Sequence, residues 1–404
     1  MKKGWQTKKL GDLCEIELGK TPARAIKAFW DERRETTNVW LSIADLLSAE
    51  DNIVVDSREY LSDKGAAISK TVRKGTLLAS FKLTLGRLAF AGRDLFTNEA
   101  IAALTIFDER ELSKEFLFYF LHFFDWDKAT EGDVKLKGKT LNKAKLKEMA
   151  VHFPPLPEQQ RLVGILDEAF ESIATAKANS EKNLQNARAI YESHLQSVFT
   201  QRGPGWVDTA ALGDVCGFVR GPFGGSLKKA IFVADGYAVY EQQHAIYDQF
   251  DDVRYFIDDA KFKEMKRFEL LPNDLIMSCS GTMGRIAIAP KGIKRGIINQ
   301  ALLKLTPTAK ISSAFLKSWV ESEAFQDALK EYSGGAAIQN VASVKILKEI
   351  RVPVPTIKEQ ERVVDKLDDL RAETQRLESI YHQKVAVLDA LKKSLLHRAF
   401  SGQL

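Results

Sequence analysis

Cysteine is scarce in this chain, with three residues in 404: Cys14, Cys216 and Cys279, none in a C-x-x-C pair. An odd, scattered set excludes a disulfide framework and suits a reducing cytoplasm, where the protein is expected to reside. The six histidines are dispersed and lack metal-ligand spacing, so no metal centre is expected. No apolar run is long enough to span a bilayer. The opening Met-Lys-Lys-Gly-Trp-Gln has no apolar stretch behind its lysines, so no secretory leader is expected. The phosphate-cradling G-x-x-x-x-G-K-[ST] is missing, and Gly221-Pro222-Phe223-Gly224-Gly225 has the wrong spacing to replace it. That argues against ATP hydrolysis. No G-x-G-x-x-G sits on a strand-to-helix turn. Pro154-Pro155 follows Phe153 rather than the asparagine of an Asn-Pro-Pro-aromatic tetrad, so methyl transfer is not supported.

What remains is ordinary in bulk. Hydrophobic residues are 45% and charged residues 28%, enough to bury one or two sizeable cores. The net charge of +5 and the pI near 8.8 permit an acidic partner such as nucleic acid without requiring one.

The chain is a duplication. Glu158-Gln159-Gln160-Arg161-Leu162-Val163 returns as Glu359-Gln360-Glu361-Arg362-Val363-Val364, 201 residues later. The same offset pairs Val151 with Val352, Pro154 with Pro355, Leu195 with Leu396 and Phe199 with Phe400, with no gap. Asn98-Glu99-Ala100 matches Asn299-Gln300-Ala301, and Leu85-Gly86-Arg87 resembles Met283-Gly284-Arg285 at a drifting offset. Each unit therefore has a variable front and a rigid tail. The expected organisation is a front over 1–153, a long helix over 154–202, a second front over 203–352 and a second long helix over 353–404. Cys14 and Cys216 hold equivalent positions and are read as small core residues.

The second tail carries a heptad seam: Leu367, Leu370, Thr374, Leu377, Tyr381, Lys384, Leu388, Leu391 and Leu395. Thr356 and Glu359 form a T-x-x-E capping box at its start, and Gly402 is placed to end it. The first tail has a smaller seam: Leu166, Ala169, Ile173, Ala176, Ser180, Asn183, Ala187 and Ile190. Pro157 fits its first turn, and Gly203-Pro204-Gly205 stops it. Matched length and register favour antiparallel packing of the two helices on each other. The other reading is that each folds back on its own front.

The fronts mix short strands and short helices. Leu77–Phe81, Ala100–Phe107, Leu275–Cys279 and Ala301–Thr306 read as strands, and Glu115–Phe124 and Ala314–Glu331 as helices. The pattern is not that of a doubly wound sheet. It predicts an α+β class, with two tandem mixed α/β modules and an internal pseudo-twofold repeat.

Three features suit a phosphate backbone. The loops Phe81–Arg87 and Cys279–Arg285 offer Lys82, Thr84 and Arg87, and Ser280, Thr282 and Arg285. Both arginines could instead be structural. A lysine cluster holds Lys135, Lys137, Lys139, Lys143, Lys145 and Lys147, with Thr140 and Asn142 among them. A solvated charged face is the alternative. Its counterpart, Ser333–Asn340, is far less basic, but Gln339 and Asn340 could read base edges. Basic turns near the start of each front supply Lys20, Thr21 and Arg24, and Arg220, Ser226 and Lys228.

The repeated Pro-x-x-x-Glu-Gln starts of the long helices resemble the conserved regions of Type I restriction–modification specificity subunits. So do Gly221–Lys228, the Gly-Arg and Asn-Gln pieces, and the terminal Leu-His-Arg-Ala-Phe-Ser-Gly-Gln-Leu. The resemblance covers the whole chain. It implies two target-recognition domains, each reading half of a bipartite, asymmetric double-stranded DNA target. It implies an antiparallel helical spacer and half-sites about 10 base pairs apart. Two modification subunits binding S-adenosylmethionine would dock on the helices, around Glu158, Gln159, Arg161, Glu359, Gln360 and Arg362. Two restriction subunits using ATP and Mg would join them, while this chain itself holds no cofactor and catalyses nothing. A specificity subunit for a fused restriction–methylation partner, a degenerate nuclease or methyltransferase, and a coiled-coil scaffold remain as rivals.

Overall fold

The computed structural model describes residues 4–49, 51–130, 134–135, 138–201, 206, 209–279, 284–332 and 344–404, with no side chains described at 134–140, 224 and 328–332. The chain divides into two compact units. The first is Met1–Asn179 with Lys384–Leu404, and the second is Ser180–Gln383. Each holds one front and a stretch of both long helices.

In the first unit, Ile101–Ile106 lies between Cys14–Leu18 and Leu77–Ser80, antiparallel to both, and Leu88–Ala91 extends the sheet. Leu77, Ala79, Ala102 and Leu104 face the aromatic helix Lys114–Phe123. Leu78, Ile101 and Ala103 face the opposite way, onto Val39, Leu41 and Leu95. A strand buried on both faces needs apolar residues at every position, which explains the unbroken runs in the sequence. Val39–Leu41 and Leu95–Thr97 pair in parallel in the second sheet.

The second unit repeats this plan. Leu302–Pro307 lies between Cys216–Arg220 and Leu275–Ser278, Ile286–Ile288 extends the sheet, and Tyr237–Tyr240 pairs in parallel with Gly296–Ile298. The class is α+β, and the repeat reaches the strand order. One helix differs from expectation. Ala314–Glu331 is broken into Ser313–Glu321 and Glu323–Tyr332. Ser322 is extended and fully buried, and its hydroxyl donates to the Trp319 carbonyl at 2.6 Å. A short side chain that bonds its own backbone competes with the helix and ends it.

The long helices run Leu156–Gln201 and Ile357–Phe400. Thr356 Oγ1 accepts from the Glu359 N–H at 3.3 Å, and Pro157 lies in the first turn of the other helix. Gly402 has φ +76°, with Gln403 N–H on the Arg398 carbonyl (2.8 Å) and Gly402 N–H on that of Ala399 (3.3 Å). These two bonds close the helix by the αL glycine turn that the sequence suggested. Gly203-Pro204-Gly205 lies outside the described residues.

The helices pack antiparallel within each unit. Lys177 pairs with Asp389 at 2.9 Å and Lys392 lies over the Phe170 ring in the first unit. Arg188 pairs with Glu378 at 2.8 Å, and Arg371 donates to the Tyr191 hydroxyl, in the second. The seams follow the heptad through Leu166, Ile173, Ser180 and Ala187, and through Leu367 and Thr374. They then slip by one residue. Asn183 and Ile190 are exposed while Leu184 and Tyr191 turn inward, and Lys384 and Leu391 are exposed while Val385 turns inward. An α-helix of 3.6 residues per turn outruns a strict heptad by about 20° per repeat, so the contact row must shift.

Two residues expected on a partner-docking surface are buried instead. Gln159 Oε1 accepts from Ser113 N–H (2.9 Å), and its amide donates to the carbonyls of Glu111 and Pro154 (both 2.8 Å). Gln360 repeats this on Ser312 N–H (2.8 Å) and on the carbonyls of Lys310 and Pro355 (both 2.9 Å). Neither has any exposed surface. They pin each long helix to its own front. Their neighbours Glu158–Arg161 and Glu359–Arg362 form more exposed ion pairs on the same turns.

Candidate nucleic-acid interface

In the first unit the Lys20 turn, the Lys82 loop and the strand Gly138–Thr140 meet at one end of the main sheet, whereas Lys147 packs on Gly11 beside its other end. Asn98 Oδ1 accepts from the Ala100 N–H (3.0 Å), which makes a tight turn before Ile101. Gly19 packs against that turn so closely that a Cβ would lie 2.1 Å from the Thr97 carbonyl oxygen, so only glycine fits. Lys20 follows, exposed, and its N–H donates to the same carbonyl at 2.8 Å. The Thr21 hydroxyl donates to Glu99. Partial burial opposes the charge on Glu99. The Thr21 hydrogen bond and the cations Lys82 and Arg24 outweigh it and hold the carboxyl below its ordinary range.

The lysine cluster joins the Lys82 loop through the backbone. Gly138–Thr140 pairs antiparallel with Lys82–Leu83, setting Lys139 opposite Leu83 and Thr140 opposite Lys82, and Val134–Lys135 forms the outer strand. Thr84 is exposed, and Leu83 stands at φ +65° with its side chain in solvent. Asn142 caps the helical turn Lys143–Lys147, accepting from Lys145 N–H at 2.8 Å. Lys143, Lys145 and Lys147 are exposed. Lys137 lies outside the described residues.

Two arginines already have partners within the fold. Arg87 donates to the Ile43 carbonyl at 3.1 Å. Arg24 pairs with Glu59 (3.0 Å) and lies over the rings of Trp30 (4.0 Å) and Trp40 (4.7 Å). Both are engaged within the fold.

The second tip has the same frame and different side chains. Asn299 Oδ1 accepts from Ala301 N–H at 3.0 Å, and a Cβ on Gly221 would lie 1.8 Å from the Asn299 carbonyl. Ser278 and Arg285 exchange the bonds that Ser80 and Arg87 make. Arg285 itself is exposed and lines a pocket of about 580 Å³ with Lys317 and Glu321. Arg220 and Lys228 are exposed. Ser226 ends a short 3-10 turn, its N–H on the Phe223 carbonyl. Ser280, Thr282, Gln339 and Asn340 lie outside the described residues.

Two residues escaped the sequence reading. Glu99, at the centre of the first tip, corresponds to Gln300 in the second, and the aligned Asn-x-Ala triplets were the available signal. Phe223 is 92% exposed on a glycine-rich basic turn. Its signal was an aromatic side chain flanked by Pro222 and Gly224-Gly225, with no apolar periodicity to bury it. All three thiols are buried, and burial pushes Cys14 and Cys216 up to about 12 and Cys279 to about 11, so none is a nucleophile.

The sequence pattern of the Type I restriction modification DNA specificity domain matches residues 2–185 and again 206–384. The specificity subunit of the Type I restriction enzyme EcoBI of Escherichia coli is 25% identical over 291 residues, covering 66% of this chain and 60% of that one. The MjaIX specificity subunit of Methanocaldococcus jannaschii is 26% identical over 187 residues, covering 44% and 41%. The chain thus spans three fifths or less of these relatives' length. The HsdS subunit of Thermoanaerobacter tengcongensis shares the fold with a TM-score of 0.62 at 17% identity, covering 100% of this chain and 98% of that one. A chain from a structure addressing complex assembly and conformational transition of the type I R-M system gives 0.77 at 19% identity, covering 100% and 99%. Two matched domains, repeated down to the strand order and the glutamine pins, place this chain in the Type I restriction modification DNA specificity domain family.

Proposed function

We propose that this chain is the DNA-recognition subunit of a Type I restriction–modification enzyme. Its two fronts each read one half of a bipartite, asymmetric target in double-stranded DNA. The observation that carries this reading is the pair of tips: one backbone frame, built twice, bearing different side chains. A lysine-rich edge with Lys20, Lys82, Lys139 and Lys143 suits the phosphate backbone in the first. A glycine-rich turn with Arg220, Lys228 and Phe223 serves the second. Same frame and different chemistry is what an asymmetric split target requires.

The chain directs chemistry done elsewhere. Modification subunits carry S-adenosylmethionine and methylate adenine; restriction subunits carry ATP and Mg. The exposed ion pairs Glu158–Arg161 and Glu359–Arg362 lie on the turns where such subunits dock. The complex works in the cytoplasm. Among the described residues no helix is long and apolar enough to cross a membrane.

The test is genome-wide adenine methylation in cells carrying this chain with its modification partner, against cells lacking it. A split motif present only with the chain is the expected result. An active partner and no new motif would refute the reading.

A further inference from the structure

The turn Asn98-Glu99-Ala100 joins the two sheets of the first front, leading from Leu95–Thr97 to Ile101–Ile106. Asn299-Gln300-Ala301 does the same in the second front, from Gly296–Ile298 to Leu302–Pro307. Equivalent bonds hold both turns. Asn98 N–H donates to the Leu41 carbonyl and Asn299 N–H to that of Tyr240, each at 2.9 Å. The Ala100 carbonyl accepts from Phe81 N–H at 3.0 Å, and the Ala301 carbonyl from Cys279 N–H at 2.9 Å. With the backbone held alike, the two apices differ in an exposed side chain: a carboxylate at Glu99 and an amide at Gln300.

A carboxylate is out of place on a face that meets phosphates, because its charge opposes binding. Glu99 nevertheless stays charged, and among the described residues it has no ion pair. The Thr21 hydroxyl donates to its Oε2, which steadies the side chain and leaves further lone pairs to accept. Bracing that hydroxyl needs no charge, since an amide oxygen would accept as well. The charge has a use if the carboxylate meets a donor on a base edge. In the major groove the donors are the amino groups of cytosine and adenine. Adenine sets its N7 acceptor beside N6, and a carboxylate, which has no N–H, would face that lone pair unpaired. Cytosine N4 has no acceptor beside it on its own base. A glutamine amide offers donor and acceptor together, which adenine matches. Gln300 makes no side-chain hydrogen bond among the described residues.

We propose that Glu99 reads a cytosine in the half-site met by the first front, its carboxylate accepting from the N4 amino group, and that Gln300 reads an adenine at the equivalent place in the other half, its amide spanning N6 and N7. Lys20 and Lys82, beside the first apex, then hold the backbone next to the base that is read. The proposal rests on the reading that the chain is a DNA-recognition subunit, and assigns one base to each tip. A single exchange on a repeated turn thereby makes the two half-sites differ.

The experiment assembles the full chain with its modification subunit, unmodified and as Glu99→Gln and Gln300→Glu. Each complex is read by the adenine-methylation motif it imposes on a genome, and by competition among duplexes in which every base pair of both half-sites is varied in turn. Glutamine keeps the length of Glu99 and an oxygen for the Thr21 hydroxyl, and Gln300 is exposed, so both variants should melt with the unmodified chain. The unmodified complex should prefer C·G at one pair of one half-site by about ten- to a hundredfold. Glu99→Gln should turn that preference towards A·T and leave the other half-site as it was. Gln300→Glu should turn one A·T preference in the other half towards C·G. Unchanged base preferences in Glu99→Gln overturn the proposal while leaving the functional reading intact. Equal tightening on every duplex overturns it too, because Glu99 then does no more than repel phosphate. Should Glu99→Gln not fold, Gln300→Glu decides alone, and an unaltered half-site overturns the proposal. Failure of the unmodified complex to impose any split motif refutes the functional reading itself.

Discussion

Replacing Gln360 with methionine is the sharpest test of how the readers are held. Methionine keeps the volume and removes every polar atom. The Ser312 N–H would lose its acceptor in a site with no exposed surface, and the carbonyls of Lys310 and Pro355 would lose their donors. A buried N–H left unpaired costs about 1–3 kcal/mol, and the carbonyls, each with a second lone pair, about half of that. Relief from burying the amide itself offsets part of the loss. A net destabilisation of about 3 kcal/mol follows, or roughly 6–12 °C in the melting of a unit this size. Scanning calorimetry of the full chain should show the second unit's transition move while the first stays in place. Gln159→Met should do the reverse. Arg362→Ala, two residues further along the same helix, breaks an exposed ion pair and should cost under about 1 kcal/mol. A loss below about 1 kcal/mol in both glutamine variants would refute the assignment of these residues as pins.

The remaining predictions concern the tips and the thiols. Lys82→Glu combined with Lys143→Glu should weaken binding to every DNA sequence and flatten the slope of log affinity against log salt by about 2, measured by fluorescence anisotropy across a salt series. An unchanged slope would place both lysines off the backbone. Phe223→Ala should weaken DNA binding about tenfold, the scale of one aromatic–base contact, without moving the melting temperature, because the ring touches little of the fold. Native protein at pH 8 should resist iodoacetamide, whereas three thiols should react in denaturant, counted by mass spectrometry. The sign follows from burial. The folded thiols titrate above their unfolded value near 9, so their contribution to stability is complete below pH 9 and is lost as pH rises from there towards about 12.

The tails were the most readable part of the sequence. Their signals are local: a Thr-x-x-Glu start, a glycine stop, and apolar steps of three and four. The seam slip at Ile190 and Lys384 was not readable, because it depends on the accumulated angle of a straight helix rather than on any residue. The mix of short strands and helices indicated the α+β class, and the duplication showed that the two fronts share a plan without showing which strands pair. It did not give the break at Ser322, where a side-chain bond to Trp319 overrides a helical pattern on both sides. At the tips, sequence showed which segments were basic and could not show which arginines were already spent. Arg24 between two tryptophans and Glu59, and Arg87 on the Ile43 carbonyl, answer to partners 35 and 44 residues away in the chain. Gln159 and Gln360 were misplaced for the same reason. A glutamine at a helix start looks like surface until the loop that covers it is known.

The glutamine pins have a consequence for how such chains change. Each front meets its helix through equivalent backbone groups, and the glutamines themselves lie in a stretch matched without gaps. A genetic exchange inside that stretch would splice a foreign front onto an unaltered helix with its pin, its cap and its seam in place. The joint tolerates a new reader because nothing in it depends on what the tip recognises. If the fronts read DNA as proposed, a new target sequence could arise by recombination in a single step, without the loss of folding that separate substitutions at a packed junction would bring.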